Sequence, residues 1–271
     1  MLNIIDSYFA SRDVSVDYKK NFRKSIELYV RLHGDDWSKL DREQFAKFAD
    51  QVRQRCKSVR TANTQLAHLK TLWHFAADLG LAARPPRRLK RFKEPQIDPQ
   101  GWTVEEFGRI LKETAQTPVY WRASVIAALW LAWNTGLRRG DIRTLHRHQI
   151  TSAGLLVHVM SKTGVVVRRQ LWPETLAAIE GIAGPDALII PPCDWKKLNR
   201  EIKAACKRAH VQVGTVKFAR KGSASEVERS TPGQGYRFLG HTKPGVFDAY
   251  YRVDRICGHC VPQPPRPSSF K

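Results

Sequence analysis

The side chains able to do chemistry lie mostly in the second half of this sequence. Arg138 and Arg139 follow Asn-Thr-Gly-Leu, Lys162 sits in Ser-Lys-Thr-Gly, and Lys217 and Arg220 stand three apart in Lys-Phe-Ala-Arg. His241 follows Leu-Gly, and Tyr250 and Tyr251 are adjacent. Guanidinium groups grip phosphate oxygens through planar forks of donors and stay charged at any physiological pH. Lysine and histidine can pass protons, and a deprotonated phenol is a nucleophile. Taken singly, each residue also has an ordinary structural explanation. Arg138 can be a cation favoured at a helix C-terminus, Lys162 a turn lysine, His241 a turn residue, and the tyrosine pair core aromatics. Cys257 and Cys260, with His259 between them, form one CxxC with no second half, so no metal is expected there. Nothing resembles a P-loop and no carboxylate cluster stands out, which argues against a nucleotide cofactor and a metal-dependent nuclease.

The elements that must position these residues read as mainly α-helical with one small antiparallel β-hairpin. Apolar spacing predicts helices over residues 13–33, after Asp41, and from Thr61 to Leu79, where Leu66, Leu69, Leu72, Trp73 and Ala76 line one face before Gly80. Pro85 and Pro86 then precede a run in which Arg84, Arg87, Arg88, Lys90, Arg91 and Lys93 crowd ten residues, the signature of an extended basic linker. Thr103 and Glu106 form a capping box that restarts helical order. A very apolar helix (Trp121 to Asn134) follows, closed by Gly136 as a left-handed cap. Two β-branched runs flank Ser-Lys-Thr-Gly and predict the hairpin. Helices return from Pro173 to Ile182 and from Trp195 to His210. Residues after Cys260 read as a flexible tail. The expected organisation is therefore a helical domain over 1–83, a linker over 84–101, a second domain over 102–256 and a tail over 257–271.

Charge narrows the partner. The 271 residues carry 46 Lys and Arg against 25 Asp and Glu, a formal net charge of +21. An excess of this size draws polyanions, of which the phosphate backbone is the commonest. The N-terminal stretch carries Asp6 early and lacks a basic n-region, so no secretory signal is expected. The longest apolar run, Val125 to Trp133, is too short to span a bilayer. Five scattered cysteines fit reduced thiols, and the expected location is cytoplasmic, at the nucleoid. Lys57, Arg60 and Lys70 in the first domain, Arg87, Arg88, Lys90 and Arg91 in the linker, and Arg139 are the candidates for tracking DNA phosphates.

Four segments together resemble the tyrosine recombinases (the phage-integrase family). Asn-Thr-Gly-Leu-Arg-Arg-Gly-Asp is similar to the segment in which one helix ends and the next begins with a small residue and an acid. Arg138 falls on the catalytic arginine and Gly140–Asp141 on the small–acidic pair. Lys162 matches the strand-turn lysine. Residues 217–224 resemble the His-x-x-Arg box, with Arg220 as the second arginine. Leu239–Gly240–His241, with Tyr250 nine residues after the histidine, resembles the closing box, and Tyr251 is the alternative nucleophile. The resemblance covers most of residues 102–255. It implies a catalytic domain preceded by a helical, SAM-like core-binding domain, acting on double-stranded DNA as a homotetramer on paired sites, without cofactor.

The chemistry implied is site-specific recombination or integration through a 3′-phosphotyrosyl intermediate. Two guanidiniums hold the charge of the pentacoordinate phosphorus, Lys162 protonates the leaving 5′-oxygen and His241 bonds the phosphate or that oxygen. Because the tyrosyl ester conserves the bond energy, no ATP is needed. The chain departs from the pattern in two places. Lys217 stands where the family usually has histidine, as in the related type IB topoisomerases. The segment after Arg220 is also more polar than the family's apolar helix, with Pro232 and Gly233 interrupting it. These departures keep two alternatives open: a catalytically impaired DNA-binding relative, and a nick-and-seal enzyme of the topoisomerase kind.

Overall fold

The computed structural model describes residues 1–10, 12–95, 100–182, 188–191, 195–241 and 263–265. The chain divides into two compact units, Met1–Ile97 and Asp98–Lys271.

The first unit is built from α1 (Ile5–Ala10), α2 (Val16–His33), α3 (Arg42–Arg55) and α4 (Val59–Asp78). Each of the three longer helices starts on a side-chain cap. Ser15 Oγ accepts from Tyr18 N (3.3 Å), Asp41 Oδ1 from Gln44 N (2.7 Å) and Ser58 Oγ from Thr61 N (3.2 Å). The Ser58 cap explains why α4 begins two residues before the periodicity implied. Phe22, Ile26, Phe45, Phe48, Leu69, Leu72 and Trp73 meet in one apolar core. Among its described residues the basic proline-containing stretch carries no helix or strand, yet part of it is pinned to this unit. Leu89 and Phe92 pack on the core, Trp73 Nε1 donates to Ala83 O (2.8 Å), and Asn63 bonds both the amide and the carbonyl of Phe92.

The second unit is arranged around an apolar helix. α5 (Val104–Glu113) starts at the Thr103–Glu106 capping box, which is formed in both directions. α6 (Val119–Thr135) is apolar nearly all round, so burial on every side is its stable state. Trp133, near its end, stacks on Phe107 of α5 with ring centroids 4.3 Å apart. α7 (Arg139–Arg143) follows a three-residue corner. β1 (Leu155–Val159) and β2 (Val166–Gln170) pair antiparallel, with Val159 opposite Val166 and His158 opposite Val167. α8 (Pro173–Glu180), α9 (Trp195–Arg208), α10 (Val216–Ser230) and α11 (Gly235–Phe238) complete the described elements. α8, α9 and α10 pack around α6, and α5 packs on α9 and α10 and touches α6 through Phe107.

The polar segment after Arg220 is a regular helix, α10, that ends before Pro232. Ser223, Glu226 and Glu228 on it are buried, each with a hydrogen-bond partner. Glu228, 3% exposed, accepts the amides of Gly233 (2.8 Å) and Gly235 (2.9 Å), fixing the turn into α11. Residues 263–265 lie on this same unit. Trp133 Nε1 donates to Pro265 O (3.3 Å), and Gln263 bonds Trp172 and the carbonyl of Gln170. No helix among the described residues is long and apolar enough to cross a membrane.

Candidate active site

Three corners of the second unit carry four of the predicted residues, Arg138, Lys162, Arg220 and His241. The first is the end of α6. Gly136 has φ +66°, and a Cβ there would meet the Phe238 ring at 2.7 Å, so only glycine turns the chain here. The turn delivers half-buried Arg138 to the N-terminus of α7. Its amide donates to Asp141 Oδ2 (3.3 Å), and its Nη1 lies 3.8 Å from Met160 Sδ.

Asp141 is wholly buried and links this corner to the hairpin. Its Oδ1 accepts from Ser161 N (2.9 Å) and Ser161 Oγ (2.7 Å), the residue before Lys162. Gln149 Nε2 donates to His158 Nδ1 (3.0 Å), which leaves the protonated His158 Nε2 facing Asp141 at 3.6 Å. Burial opposes the charge on Asp141, but the His158 ring facing it and the two bonds from Ser161 outweigh it and hold the carboxyl well below the usual carboxylate range. Lys162 itself is exposed at the hairpin tip, in a turn closed by Gly164.

The third corner joins α10 to α11. Arg220 is 4% exposed. It donates to Gly136 O, to Leu239 O (3.0 Å) and, at 3.5 Å, toward His241 Nε2. These bonds orient the guanidinium plane between the α6 corner and the histidine. Gly240, at φ +62°, packs so tightly on Met160 that a Cβ would lie 2.4 Å from Sδ. The His241 imidazole is pushed down to about 4, first by burial and then by the charges of Arg220, Arg138 and Lys162. A neutral imidazole thus stands among three cations from three elements. Such a cluster binds an anion, stabilises charge growing on it and keeps hydrogen-bonding and proton-bearing groups at hand.

The remaining candidates are placed differently. Lys217 is exposed on the first turn of α10; one turn on, Lys221 has its pKa lowered by burial and then by Lys217. Tyr250, Tyr251 and the Cys257–Cys260 pair lie outside the described residues. Arg139 is exposed beside Arg138. In the first unit, Lys57 and Arg60 are exposed around the start of α4, and Lys70 is half-buried. Arg87 and Arg88 are exposed, whereas Lys90 pairs with Asp50 (2.5 Å) and Arg91 with Glu94 (3.4 Å).

Two features escaped the sequence reading. His158 and Arg169 are buried polar residues on strands whose alternation alone implied apolar ones. The other is a row on α9, where Lys196, Arg200, Lys203 and Lys207 share one exposed face at spacings of four, three and four; that periodicity was available in the sequence.

No protein-family model matches the chain, and no curated protein matches it either. Its fold is shared with solved structures. A lambda integrase dimer bound to a COC′ core site superposes with a TM-score of 0.74 at 20% identity, covering 94% of this chain and 97% of that one. A lambda integrase tetramer bound to a Holliday junction gives 0.75 at 21%, covering 94% and 78%. The Tn1549 transposon integrase in complex with circular intermediate DNA gives 0.67 at 13%, covering 93% and 95%. The integrase fold therefore extends over both units of the chain, and the mainly helical architecture with a small hairpin is the expected one.

Proposed function

We propose that this chain is a tyrosine recombinase that cuts and rejoins double-stranded DNA through a phosphotyrosyl ester. One observation carries the reading: Asp141 ties the Arg138 corner to Ser161 beside Lys162, and Arg220 bridges that corner at Gly136 O toward His241, within an integrase fold. In the reaction proposed, the Tyr250 phenolate attacks a backbone phosphorus, the tyrosyl–phosphate bond forms and the bond to the 5′-oxygen breaks. Arg138 and Arg220 neutralise the two non-bridging oxygens. Lys162 gives the leaving oxygen its proton, and attack by a 5′-hydroxyl reverses the sequence in a new partner strand. His241, neutral before DNA arrives, hydrogen-bonds the phosphate or the departing oxygen. The exposed cations, including the α9 row, supply phosphate contacts, and four protomers on two duplexes are the proposed assembly.

A suicide substrate, nicked so that the 5′-product escapes, tests this. The wild type is expected to leave a protein–DNA adduct that survives denaturation and is lost in Tyr250→Phe. Loss in Tyr251→Phe instead would reassign the nucleophile. A plasmid with paired sites separates recombination, which deletes or inverts, from nicking and resealing. The exposed position of Lys217, where the family pattern has histidine, favours a second reading, a DNA-binding relative that no longer cleaves. Binding without adduct on any substrate would establish it.

A further inference from the structure

On β2, exposure alternates: Val166, Arg168 and Gln170 face outward, Val167 and Arg169 inward. An inward position on a two-stranded hairpin ordinarily takes an apolar side chain. Here it holds a guanidinium that is 8% exposed, with no carboxylate pairing it among the described residues. Burial pushes its pKa down to about 10, which still leaves it charged at neutral pH. A buried charge is costly unless hydrogen bonds replace its hydration, so the acceptors reveal what the residue does.

The acceptors are backbone carbonyls, one on β2 itself and two at the α11 corner. Nη1 donates to Arg168 O (2.8 Å), while Nη2 donates to Phe238 O (2.8 Å) and Arg237 O (3.3 Å). The guanidinium also lies over the Phe238 ring, 5.4 Å from its centroid. The next carbonyl, that of Leu239, accepts from Arg220. Three consecutive carbonyls at the C-terminal end of α11 are thus held by two buried guanidiniums, one from β2 and one from α10. Gly240 follows, pressed on Met160 at the other end of the same hairpin, and then His241.

We infer that Arg169 is a positioning residue that ties the β1–β2 hairpin bearing Lys162 to the α11 corner bearing His241, so that the two groups keep a fixed mutual position. The inference deepens the proposed recombinase reading and rests on it for its kinetic readout only. Arg169 touches no DNA in this role and acts through the 237–241 backbone. Arg138, Lys162 and Arg220 are among the cations that act on His241.

The test compares Arg169→Met and Arg169→Lys with the wild type in the full chain. Imidazole NMR titration of His241 needs no DNA. It is expected to move in Arg169→Met from about 4 upward toward the ordinary 6.5, as the corner loosens and water reaches the ring. Adduct formation on the nicked substrate should slow at least about tenfold while DNA affinity stays within about twofold, and Arg169→Lys should restore part of the rate. A folded Arg169→Met protein with wild-type His241 titration and wild-type rate would overturn the inference. If that variant does not fold, Arg169→Lys decides: an intermediate titration supports the role, and coincidence with wild type refutes it. Should the wild type form no adduct, the functional reading falls while the titration still judges Arg169.

Discussion

The two units handle burial of polarity in opposite ways. Among the described residues of the first unit, the buried polar side chains are Ser25, Asn63 and His68, none of them carrying a formal charge when His68 is neutral, and burial lowers the pKa of His68. The second unit buries Asp141, Arg169, Arg220, Glu226 and Glu228. Three of these, Asp141, Arg169 and Arg220, bond the backbone at the corners that carry Arg138, Lys162 and His241; Glu228 fixes the turn just before them. Buried charge is an inefficient way to gain stability, since apolar side chains of similar size do as well or better. Its concentration in one unit therefore marks where the fold holds loops at fixed positions. The first unit, with a conventional apolar core and a charged exterior, needs only to present its surface.

This contrast can be broken by stability measurements. Asp141→Ala should have the largest effect, about 3 kcal/mol, because it strands the Ser161 and Arg138 donors inside the second unit. The same carboxyl gives a pH signature. Its folded-state pKa lies below its unfolded value, so its contribution is present above the ordinary 3.8 and is lost as pH falls below it. Acid unfolding of Asp141→Asn should accordingly be less steep in that range. Gly136→Ala should cost about 2 kcal/mol, from strain at positive φ and the collision with Phe238, and should depress cleavage by moving Arg138. Asn63→Ala, the matched change in the first unit, should cost about 1 kcal/mol and loosen the 84–95 stretch without altering the cleavage step. Urea titrations order the three, and equal losses from Asn63→Ala and Asp141→Ala would erase the contrast. Smallest of all, Lys203→Ala with Lys207→Ala should leave stability unchanged. The slope of log affinity against log salt should fall by about 0.9 for each phosphate contact removed; an unchanged slope would take α9 off the DNA.

Much of the fold could be read from the sequence because local signals were strong. The Thr103–Glu106 capping box, the Gly136 cap and the β-branched runs around Gly164 each specify an element by chemistry within a few residues. The resemblance singled out Arg138, Lys162, Arg220 and His241; in the structure Arg220 reaches toward His241, and Asp141 links the Arg138 corner to Ser161 beside Lys162, while their roles belong to the proposal. What stayed hidden depends on contacts distant along the chain. Asp141 reaching Ser161, and Arg169 reaching the carbonyl of Phe238, leave no periodic trace in the sequence. Polarity after Arg220 read as a departure from an apolar helix, yet Glu228 and Ser223 are interior residues of α10 with backbone partners, so polarity alone did not report exposure. The stretch after Pro85 read as an extended linker because composition cannot show that Leu89 and Phe92 find an apolar surface.

In the proposed reaction Arg138 and Arg220 act on one phosphate during bond breakage. This is tested most directly by single-turnover adduct formation on the nicked substrate, with DNA affinity measured beside it for Arg138→Ala and Arg220→Ala. Each variant is expected to slow the chemical step by on the order of a hundredfold to a thousandfold while binding changes far less. Cleavage by either variant at near the wild-type rate would contradict it.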